Sequence, residues 1–378
     1  PHDVLQQEID NILSLGVEVK YNTAMGRDFT LDSLKEDGFQ AVFLGIGCHV
    51  GMKLGIPGEE AQGVMQGVDF LRKHTLKEPF TLGKSVAVIG GGNVAIDVSC
   101  TALRLGSKVT IVYRRSREEM PAFEHEVEQA MCEGVEPLYL TAPVSVKTGA
   151  DGKVTGLECQ KMELGEPDKS GRRRPVPMEG SNFILDVDMI IPAIGQRANT
   201  SIFEGTGLEI TKWSTIEVDE TTFETNLPGV FAAGDVQTGP WIAVGAIGDG
   251  EKAAVSIDRY LRRLDQKEGR IKKRKRHHRP KTFPVGGVVH PRAEMLTLPP
   301  EYTCSCFDEI ATGFTPESAR AEATRCLNCY SDCLEKLGAP GTSAVYKAPS
   351  EVVVKKLKER SAYDNPADEA TVSAILNK

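Results

Sequence analysis

Residues 86–115 read VAVIGGGNVAIDVSCTALRLGSKVTIVYRR. Residues 86–89 are an apolar run typical of a buried β-strand, residues 90–95 follow the pattern G-x-G-x-x-A, and a helical pattern leads to a second apolar strand over 108–113. Strand, glycine-rich turn, helix and strand in this order predict a βαβ unit that binds the pyrophosphate of a dinucleotide. The alternative is a glycine-rich β-turn without a ligand.

The small residues of this turn each have a physical role in such a site. Gly90 allows the chain to turn tightly off the strand, and Gly92 lets backbone N–H groups at the helix N-terminus approach a pyrophosphate. Ala95 is small enough for the helix to pack on the strand. These positions are therefore candidate cofactor-binding residues.

The end of the second predicted strand indicates which nucleotide is bound. Sites for NAD(H) place Asp or Glu there to hold the ribose 2′-OH, whereas this chain has Arg114 and Arg115. Two guanidinium groups suit a dianionic 2′-phosphate, which favours NADP(H) over NAD(H). Because Arg117, Glu118 and Glu119 follow, a solvated and highly charged strand end is the alternative.

Composition excludes several classes of protein. The 378 residues carry a formal net charge of −8, which argues against a general nucleic-acid binder, and the sequence has no run of 18 apolar residues to span a membrane. The chain begins at Pro1 without an initiator Met, so we expect a fragment. Five of the nine cysteines lie between Cys304 and Cys333, which favours metal binding in a reducing, cytoplasmic compartment over disulfides.

The remaining pattern predicts a second domain around the βαβ unit. The further elements expected in the first half are helices over 3–15, 31–35 and 68–74 and strands over 17–21, 41–44 and 189–192. The strands at 41–44 and 189–192 both lead into a small-residue turn, one on each side of the unit. This symmetry predicts a nucleotide-binding domain inserted from about Cys48 to Ala193.

Downstream patterns predict a hairpin and a second cofactor-binding edge. The expected elements are a helix that begins near Pro121, antiparallel strands within 136–188, a strand over 229–235 and a helix over 241–264. The arginines at 172–174 are interpreted as a solvated hairpin tip, with a binding patch as the alternative. The strand at 229–235 ends in Gly234 and Asp235, where a carboxylate can hold a ribityl hydroxyl and small residues can admit a flavin.

Four segments carry a resemblance to a known family: GIGCHVGMKLGIPGEE, VAVIGGGNVAIDVSCTALRLGSKVTIVYRRSREEMPA, IIPAIGQ and TNLPGVFAAGD. Over residues 1–262 the chain resembles the small (beta) subunit of NADPH-dependent glutamate synthase and related FAD- and NAD(P)-dependent flavin oxidoreductases. The resemblance implies an α/β fold with two Rossmann-like, disulfide-reductase-like domains, the NAD(P) domain being inserted into the FAD domain. The family's first strand and its glycine-rich FAD turn precede the matching region, so we expect a partial FAD domain that holds FAD weakly.

The resemblance also implies roles for individual residues. The residues implied to hold the NADP(H) pyrophosphate are Gly90, Gly92, Asn93 and Ala95, and those implied to hold its 2′-phosphate are Arg114 and Arg115. The residues implied to shape the crossings between the domains are Gly47 and Gly195. The residues implied to contact FAD are Gly234 and Asp235, with Val244 and Ala246 near its isoalloxazine ring. No catalytic side chain is expected, because the cofactors carry the hydride chemistry. The expected domains are a partial FAD domain (1–47 and 194–264), an NAD(P) domain (48–193), a basic linker (265–300), a Cys-rich module (301–337) and a tail (338–378).

The linker and the Cys-rich module raise separate alternatives. Residues 262–281 contain eleven Lys or Arg against two acids, which predicts a solvated tether or, alternatively, docking on an acidic electron-transfer partner.

The Cys-rich module contains a candidate metal site. Three of its cysteines, Cys326, Cys329 and Cys333, have helical spacing, and Cys304 or Cys306 would be the fourth ligand. The surrounding segment resembles cluster-binding segments of the family, which favours a 4Fe–4S cluster over zinc or free thiols. The four isolated cysteines expected in the core are Cys48, Cys100, Cys132 and Cys159.

The leading hypothesis is therefore an NAD(P)H-dependent, FAD-containing oxidoreductase subunit. Hydride would pass from NADPH to FAD, and electrons would continue to iron–sulfur centres, including those of a larger partner subunit in a hetero-oligomer. One alternative is an NADP-dependent dehydrogenase that acts on a small molecule. The other is a non-catalytic subunit that binds nucleotide or a cluster for assembly.

Overall fold

The computed structural model describes residues 2–168, 171–270 and 292–323. The strands are β1 (Val42–Leu44), β2 (Val50–Gly51), β3 (Ser85–Ile89), β4 (Lys108–Val112), β5 (Glu136–Leu138), β6 (Thr141–Thr148), β7 (Val154–Pro167), β8 (Arg173–Leu185), β9 (Met189–Pro192), β10 (Gln196–Arg197), β11 (Val230–Ala232), β12 (Leu296–Thr297) and β13 (Ala311–Gly313). The helices are α1 (His2–Leu13), α2 (Leu31–Glu36), α3 (Gly67–Thr75), α4 (Asn93–Arg104), α5 (Glu124–Glu133), α6 (Asp235–Thr238), α7 (Ala243–Leu261), α8 (Pro300–Thr303) and α9 (Pro316–Ala323).

A four-stranded parallel sheet in the order β5-β4-β3-β9 forms the centre of the nucleotide-binding region. Both faces of β3 are covered, which explains its continuous apolar sequence. Val86 and Val88 pack with α4 and α5 on one face, whereas Ala87 and Ile89 pack with the strands of a second sheet on the other. The predicted βαβ unit is confirmed.

The second sheet is antiparallel and has the order β6-β7-β8. Leu157 of β7 is fully buried and belongs to the same core as Ala87 of β3. β7 and β8 form a long hairpin, as predicted for part of 136–188. The prediction is wrong for β5, which pairs parallel to β4 and extends the central sheet.

The strands predicted on either side of the βαβ unit occupy separate sheets. β1 pairs parallel with β11, and Leu44 packs in a core with Leu31 of α2 and Val230 of β11. β9 instead joins the central sheet beside β3. β2 and β10, which follow the two small-residue turns, pair with each other as a short antiparallel ribbon.

Several predicted elements differ from the structure. The strand expected over 17–21 is absent from the described residues, because Val17, Val19 and Tyr21 are 43–74% exposed and no neighbouring strand pairs with them. Helix α5 begins at Glu124, three residues after Pro121, and α7 is shorter than 241–264. Phe43 of β1 is 45% exposed, so this strand is only partly buried.

The C-terminal part contributes short elements. α8 packs against α5, where Gln129 Nε2 donates a hydrogen bond to Thr303 Oγ1 at 3.3 Å. Residues 292–295 and 313–323 belong to a separate compact unit, in which the backbone N–H of Ala293 donates to Glu322. Cys326, Cys329, Cys333, the tail over 338–378 and most of the basic linker lie outside the described residues. Within the described ranges, no helix combines the length and apolar character needed to cross a membrane.

Candidate functional site

The turn after β3 requires glycine for two different packing reasons. Gly90 has φ +145°, and a Cβ there would lie 2.3 Å from the carbonyl oxygen of Ala193 at the end of β9. A Cβ at Gly91 would lie 2.6 Å from the ring of Tyr113. The turn can therefore pass over the ends of its neighbouring strands only because both residues lack side chains.

Gly92 is different, because it faces open space. It is the N-cap of α4, with φ −92°, and no heavy atom lies within 4 Å of the position that a Cβ would take. The first amides of a helix have no partner within the helix, and its dipole favours an anion there. The cradle in front of α4 therefore fits a dinucleotide pyrophosphate.

Two further residues of the motif hold this cradle in place. Ala95 is fully buried between α4 and the central sheet. Asn93 Oδ1 accepts a hydrogen bond from the backbone N–H of Phe123 at 3.1 Å, which connects the start of α4 to the start of α5. The side chain of Asn93 thus has a structural partner in addition to its expected place beside the pyrophosphate.

The structure separates the two arginines predicted to bind a 2′-phosphate. Arg114 is exposed, whereas Arg115 is 5% exposed and bound to the β7–β8 hairpin. Arg115 Nη2 donates to Asp168 Oδ2 at 2.7 Å, and its Nε donates to the carbonyl oxygen of Arg173 at 2.8 Å. A ligand of this site could reach Arg114 directly, but it would have to displace protein contacts to reach Arg115.

The hairpin makes a second contact with the same loop. Arg173 Nε donates to Glu119 Oε1 at 2.5 Å, and the Ser116 hydroxyl donates to both Glu118 and Glu119. These hydrogen bonds, that of Ser116 first, lower the pKa of Glu119. Arg173 therefore contacts the protein, contrary to the expectation of a solvated tip.

Gly47 and Gly195 lie at the starts of the two crossings. Gly47 has φ +66° and Gly195 has φ +137°, conformations that favour glycine. The carbonyl oxygen of Gly195 accepts a hydrogen bond from Met52 N at 3.0 Å, just beyond the β2–β10 ribbon. The structure thus brings the two crossings together, while their predicted contribution to cofactor binding stays a prediction.

The turn after β11 holds the residues expected to bind flavin. Gly234 has φ +73°, and a Cβ there would lie 3.3 Å from Cβ of Ala246, so the strand end approaches α7 closely. Asp235 Oδ1 accepts a hydrogen bond from Trp241 N at 3.3 Å. The indole of Trp241 lies on Gly245, where a Cβ would be 2.6 Å from the ring.

Exposed apolar side chains surround the start of α7. Trp241, Ile242, Val244 and Ile247 are 46–68% exposed, which is unusual for neighbouring large apolar residues. Such a surface fits a flat apolar ring, and the amides at the start of α7 can donate to its polar edge. Trp241 was not among the predicted site residues. An aromatic residue at the start of a helix predicted to bind a flavin ring could have indicated it.

Cys48 lies near the same strand end. Its thiol donates to the carbonyl oxygen of Asp235 at 3.3 Å, and burial, followed by the charge of Asp235, raises the pKa of the thiol. Cys159 is fully buried and burial raises its pKa to about 12, which confirms a core position for both cysteines. Cys132 is exposed, so its predicted core position is wrong.

A buried ion pair lies at the opposite end of α4 from the glycine turn. Arg104 donates two hydrogen bonds to Glu133, at 2.9 and 2.6 Å, and the Glu133 side chain is fully buried. Burial raises the pKa of Glu133, but hydrogen bonds from Arg104, Gln129 and Thr303 outweigh it and hold the pKa below its usual value. This network anchors α8 and the cysteines that follow it.

Cys304 and Cys306 follow directly after α8, and both are partly buried. The Cys304 thiol donates to the carbonyl oxygen of Glu301 at 3.4 Å. Over residues 2–168, 171–270 and 292–323, no three His, Cys, Asp or Glu side chains form a group that could hold a metal. Because the other three predicted ligands lie outside these ranges, the metal site stays a prediction.

Comparisons with known proteins agree with this arrangement. A family model described as pyridine nucleotide-disulphide oxidoreductase matches residues 3–250. The chain is similar to FprA of Mycobacterium tuberculosis, solved in complex with NADPH, with 21% identity, a TM-score of 0.52 and coverage of 64% of this chain and 68% of that chain. This likeness concerns the fold.

Curated relatives are more similar in sequence. The chain is 41% identical to the NADP(+)-dependent formate dehydrogenase subunit beta of Moorella thermoacetica, over 91% of this chain and 50% of the relative. It is 37% identical to the glutamate synthase (NADPH) small chain of Escherichia coli (strain K12), over 68% of this chain and 58% of the relative. The chain thus spans only about half the length of these relatives.

Proposed function

The chain belongs to the pyridine nucleotide-disulphide oxidoreductase family, and from this premise we propose that it is the NADPH-oxidising part of a flavin oxidoreductase subunit. The predicted α/β dinucleotide-binding fold and the resemblance to the glutamate synthase small subunit are confirmed. The single observation that carries the proposal is the open cradle at Gly92 with the exposed Arg114 at the end of the next strand.

In this proposal the nucleotide lies along the carboxyl ends of β3 and β4. The amides at the start of α4 bind its pyrophosphate, and the guanidinium of Arg114 binds the 2′-phosphate. Arg114 has no hydrogen bond or ion pair to any residue of the described ranges, so its charge is available to a ligand. When bound, NADPH supplies the hydride, and the chain supplies orientation and electrostatics.

The proposed flavin site lies at the end of β11. Asp235 accepts a hydrogen bond from a ribityl hydroxyl, and Val244 and Ala246 cover the isoalloxazine ring, which accepts the hydride when FAD is bound. Gly234 allows α7 to approach the end of β11, because a side chain there would meet Ala246. The described residues support binding of the ring end of FAD, and we propose that further polypeptide is needed to hold its pyrophosphate.

The destination of the electrons is proposed from the relatives. Their names describe a beta subunit and a small chain, so we place this chain in a cytoplasmic hetero-oligomer with a larger redox subunit. Cys326, Cys329 and Cys333, with Cys304 or Cys306, would hold a 4Fe–4S cluster that receives electrons one at a time. Iron and sulfide analysis of anaerobically purified chain tests this step, and stoichiometric zinc instead would contradict it.

The hydride step can be tested with the chain and added FAD under anaerobic conditions. We expect NADPH absorbance at 340 nm and oxidised-flavin absorbance at 450 nm to fall together, and NADH to react far more slowly. Gly92→Ala provides the control, because its side chain would fill the pyrophosphate cradle without touching the rest of the fold. A chain that binds both NADPH and the added FAD but leaves the FAD oxidised would contradict the proposed reaction.

A further inference from the structure

The β7–β8 hairpin contacts the loop that follows β4 through residues on either side of its turn. Asp168 and Arg173, which flank the tip, both contact this loop: Asp168 pairs with Arg115, and Arg173 pairs with Glu119. The contacts join residues that are 53 and 54 positions apart in the sequence. The hairpin therefore brings charged groups of its own to the place where the adenosine 2′-phosphate is proposed to bind.

Four arginines of this region, Arg114, Arg115, Arg117 and Arg173, differ in how they are paired. Arg115 pairs with Asp168, Arg117 pairs with Glu128 at 3.3 Å, and Arg173 pairs with Glu119. Arg114 makes no such pair among the described residues. Among these four, only Arg114 is uncommitted, and any second one that binds a dianionic phosphate already holds a carboxylate.

Arg173 can supply this second cation more easily than Arg115. Its side chain is 49% exposed, against 6% for Arg115, so an incoming phosphate can reach it without opening the core. Its partner Glu119 also accepts a hydrogen bond from Ser116, so the carboxylate keeps a donor if Arg173 turns to the phosphate. In this exchange Glu119, whose side chain is 8% exposed, keeps the Ser116 hydrogen bond and gives up its cationic partner.

We propose that Arg173, at the start of β8, is part of the nucleotide-specificity site, as a second 2′-phosphate ligand beside Arg114. Arg115 is then a positioning residue. Its guanidinium binds the carboxylate of Asp168 and the backbone carbonyl of Arg173 together, which fixes the hairpin against the end of β4. This inference rests on the proposed NADP(H) site at Gly92 and extends it to a segment that the glycine motif does not include.

The test compares neighbouring arginines of the hairpin. Arg173→Ala and Arg174→Ala remove the same charge from β8, but the Arg174 side chain is exposed and makes no hydrogen bond or ion pair within the described ranges. Dissociation constants for NADPH and NADH are measured for the full chain by nucleotide fluorescence. We expect Arg173→Ala to weaken NADPH about tenfold, as for one charge-assisted hydrogen bond, and to leave NADH unchanged. Arg174→Ala should leave the NADPH-to-NADH ratio at its original value.

The positioning role is tested at Arg115. Arg115→Ala should lower the NADPH preference about fivefold, whereas Arg115→Lys should restore part of the preference because it keeps the charge beside Asp168. Equal ratios in Arg173→Ala and Arg174→Ala would overturn the inference. If the unaltered chain binds neither nucleotide, the proposed function itself fails. If both bind but no hairpin variant changes the ratio, only the hairpin inference fails.

Discussion

The turns after β3 and β11 both end a parallel strand in glycine, yet their surroundings differ. β3 has a strand on each side, and the helix that follows buries Ala95 and Val98 completely. β11 has β1 on one side and a single bridge from Glu224. The helix α7 beyond it begins with exposed apolar side chains, such as Val244 at 68%.

This contrast indicates that only the nucleotide half of the proposed electron path is preorganised. Contacts with two neighbouring strands and with the start of α5 fix the nucleotide turn. We therefore expect its cradle to keep the same shape without a ligand. The flavin-side residues are in position but lie on an open surface, which a ring or further polypeptide can cover. We therefore expect NADPH binding to be independent of FAD, and the following substitutions test this division.

The largest effect is expected at Gly90. Because an added Cβ would lie 2.3 Å from a backbone oxygen and φ is +145°, Gly90→Ala should lower the free energy of unfolding by about 4 kcal/mol and abolish nucleotide binding. Urea denaturation followed by circular dichroism measures the loss. Gly92→Ala is the matched control and should change stability by less than about 0.5 kcal/mol. Equal losses at both positions would mean that the turn is not held by its neighbours.

The buried pair at the far end of α4 comes next. Glu133→Gln leaves Arg104 without its charge partner and should cost about 3 kcal/mol of unfolding free energy, with NADPH affinity unchanged. Glu136→Gln, which breaks a pair with Lys108 whose side chains are more than half exposed, should have almost no effect. A loss of NADPH affinity in Glu133→Gln would show that the two ends of α4 are coupled.

Arg114→Ala tests the exposed cation at the nucleotide turn. NADPH should bind about 10- to 100-fold more weakly, as expected for a charge-assisted hydrogen bond, while NADH affinity and thermal stability stay the same. Isothermal titration with both nucleotides gives the ratio directly. Equal losses for the two nucleotides would show that Arg114 does not contact the 2′-phosphate.

Gly234→Ala makes the corresponding change on the flavin side. The nearest atom to the new Cβ is Cβ of Ala246 at 3.3 Å, so α7 can shift slightly and the cost should be about 1 kcal/mol, caused mainly by φ +73°. FAD affinity should fall and NADPH affinity should not. A loss as large as that of Gly90→Ala would remove the contrast between the two turns.

The smallest effect concerns acid stability of the antiparallel sheet behind the nucleotide turn. Hydrogen bonds from Lys147 first, then Asn182 and Ser145, lower the pKa of Glu158 to about 2. Because the folded-state pKa lies below the unfolded value of about 4.3, this contribution is complete above that value and is lost as the pH falls towards 2. Glu158→Gln should flatten the stability profile slightly between pH 5 and 2. An unchanged profile would mean that the contact is fully screened.

The local parts of the site could be predicted from the sequence. Gly90 and Ala95 are required by contacts with the next few residues and with adjacent strands, and such requirements appear as a fixed spacing. The apolar run of β3 likewise indicates a strand covered on both faces. The glycine spacing and the apolar run depend on residues that are close in the sequence or paired in a regular sheet. A single sequence is therefore enough to reveal them.

Other features depend on residues that are distant in the sequence. Arg114 and Arg115 are neighbours of the same residue type, and only hydrogen bonds from Arg115 to Asp168 and to the carbonyl oxygen of Arg173, in the hairpin, distinguish them. Tertiary contacts also explain the wrong strand at 17–21, where alternating apolar residues lack a neighbouring strand in the described chain. Apolar alternation predicts that a strand can form, but pairing determines whether it does.

The β2–β10 ribbon has one more consequence. Because Gly51 pairs with Gln196, the chain enters and leaves the intervening 144 residues through positions that are about 5 Å apart. When the ends of a folded segment are adjacent, the segment adds little loop-closure entropy to the folding of the domain that contains it. We therefore expect that it can be removed or exchanged without displacing the strands on either side. In the same way, we expect that a nucleotide-binding unit of different specificity could replace residues 52–195 when joined to the same two ends.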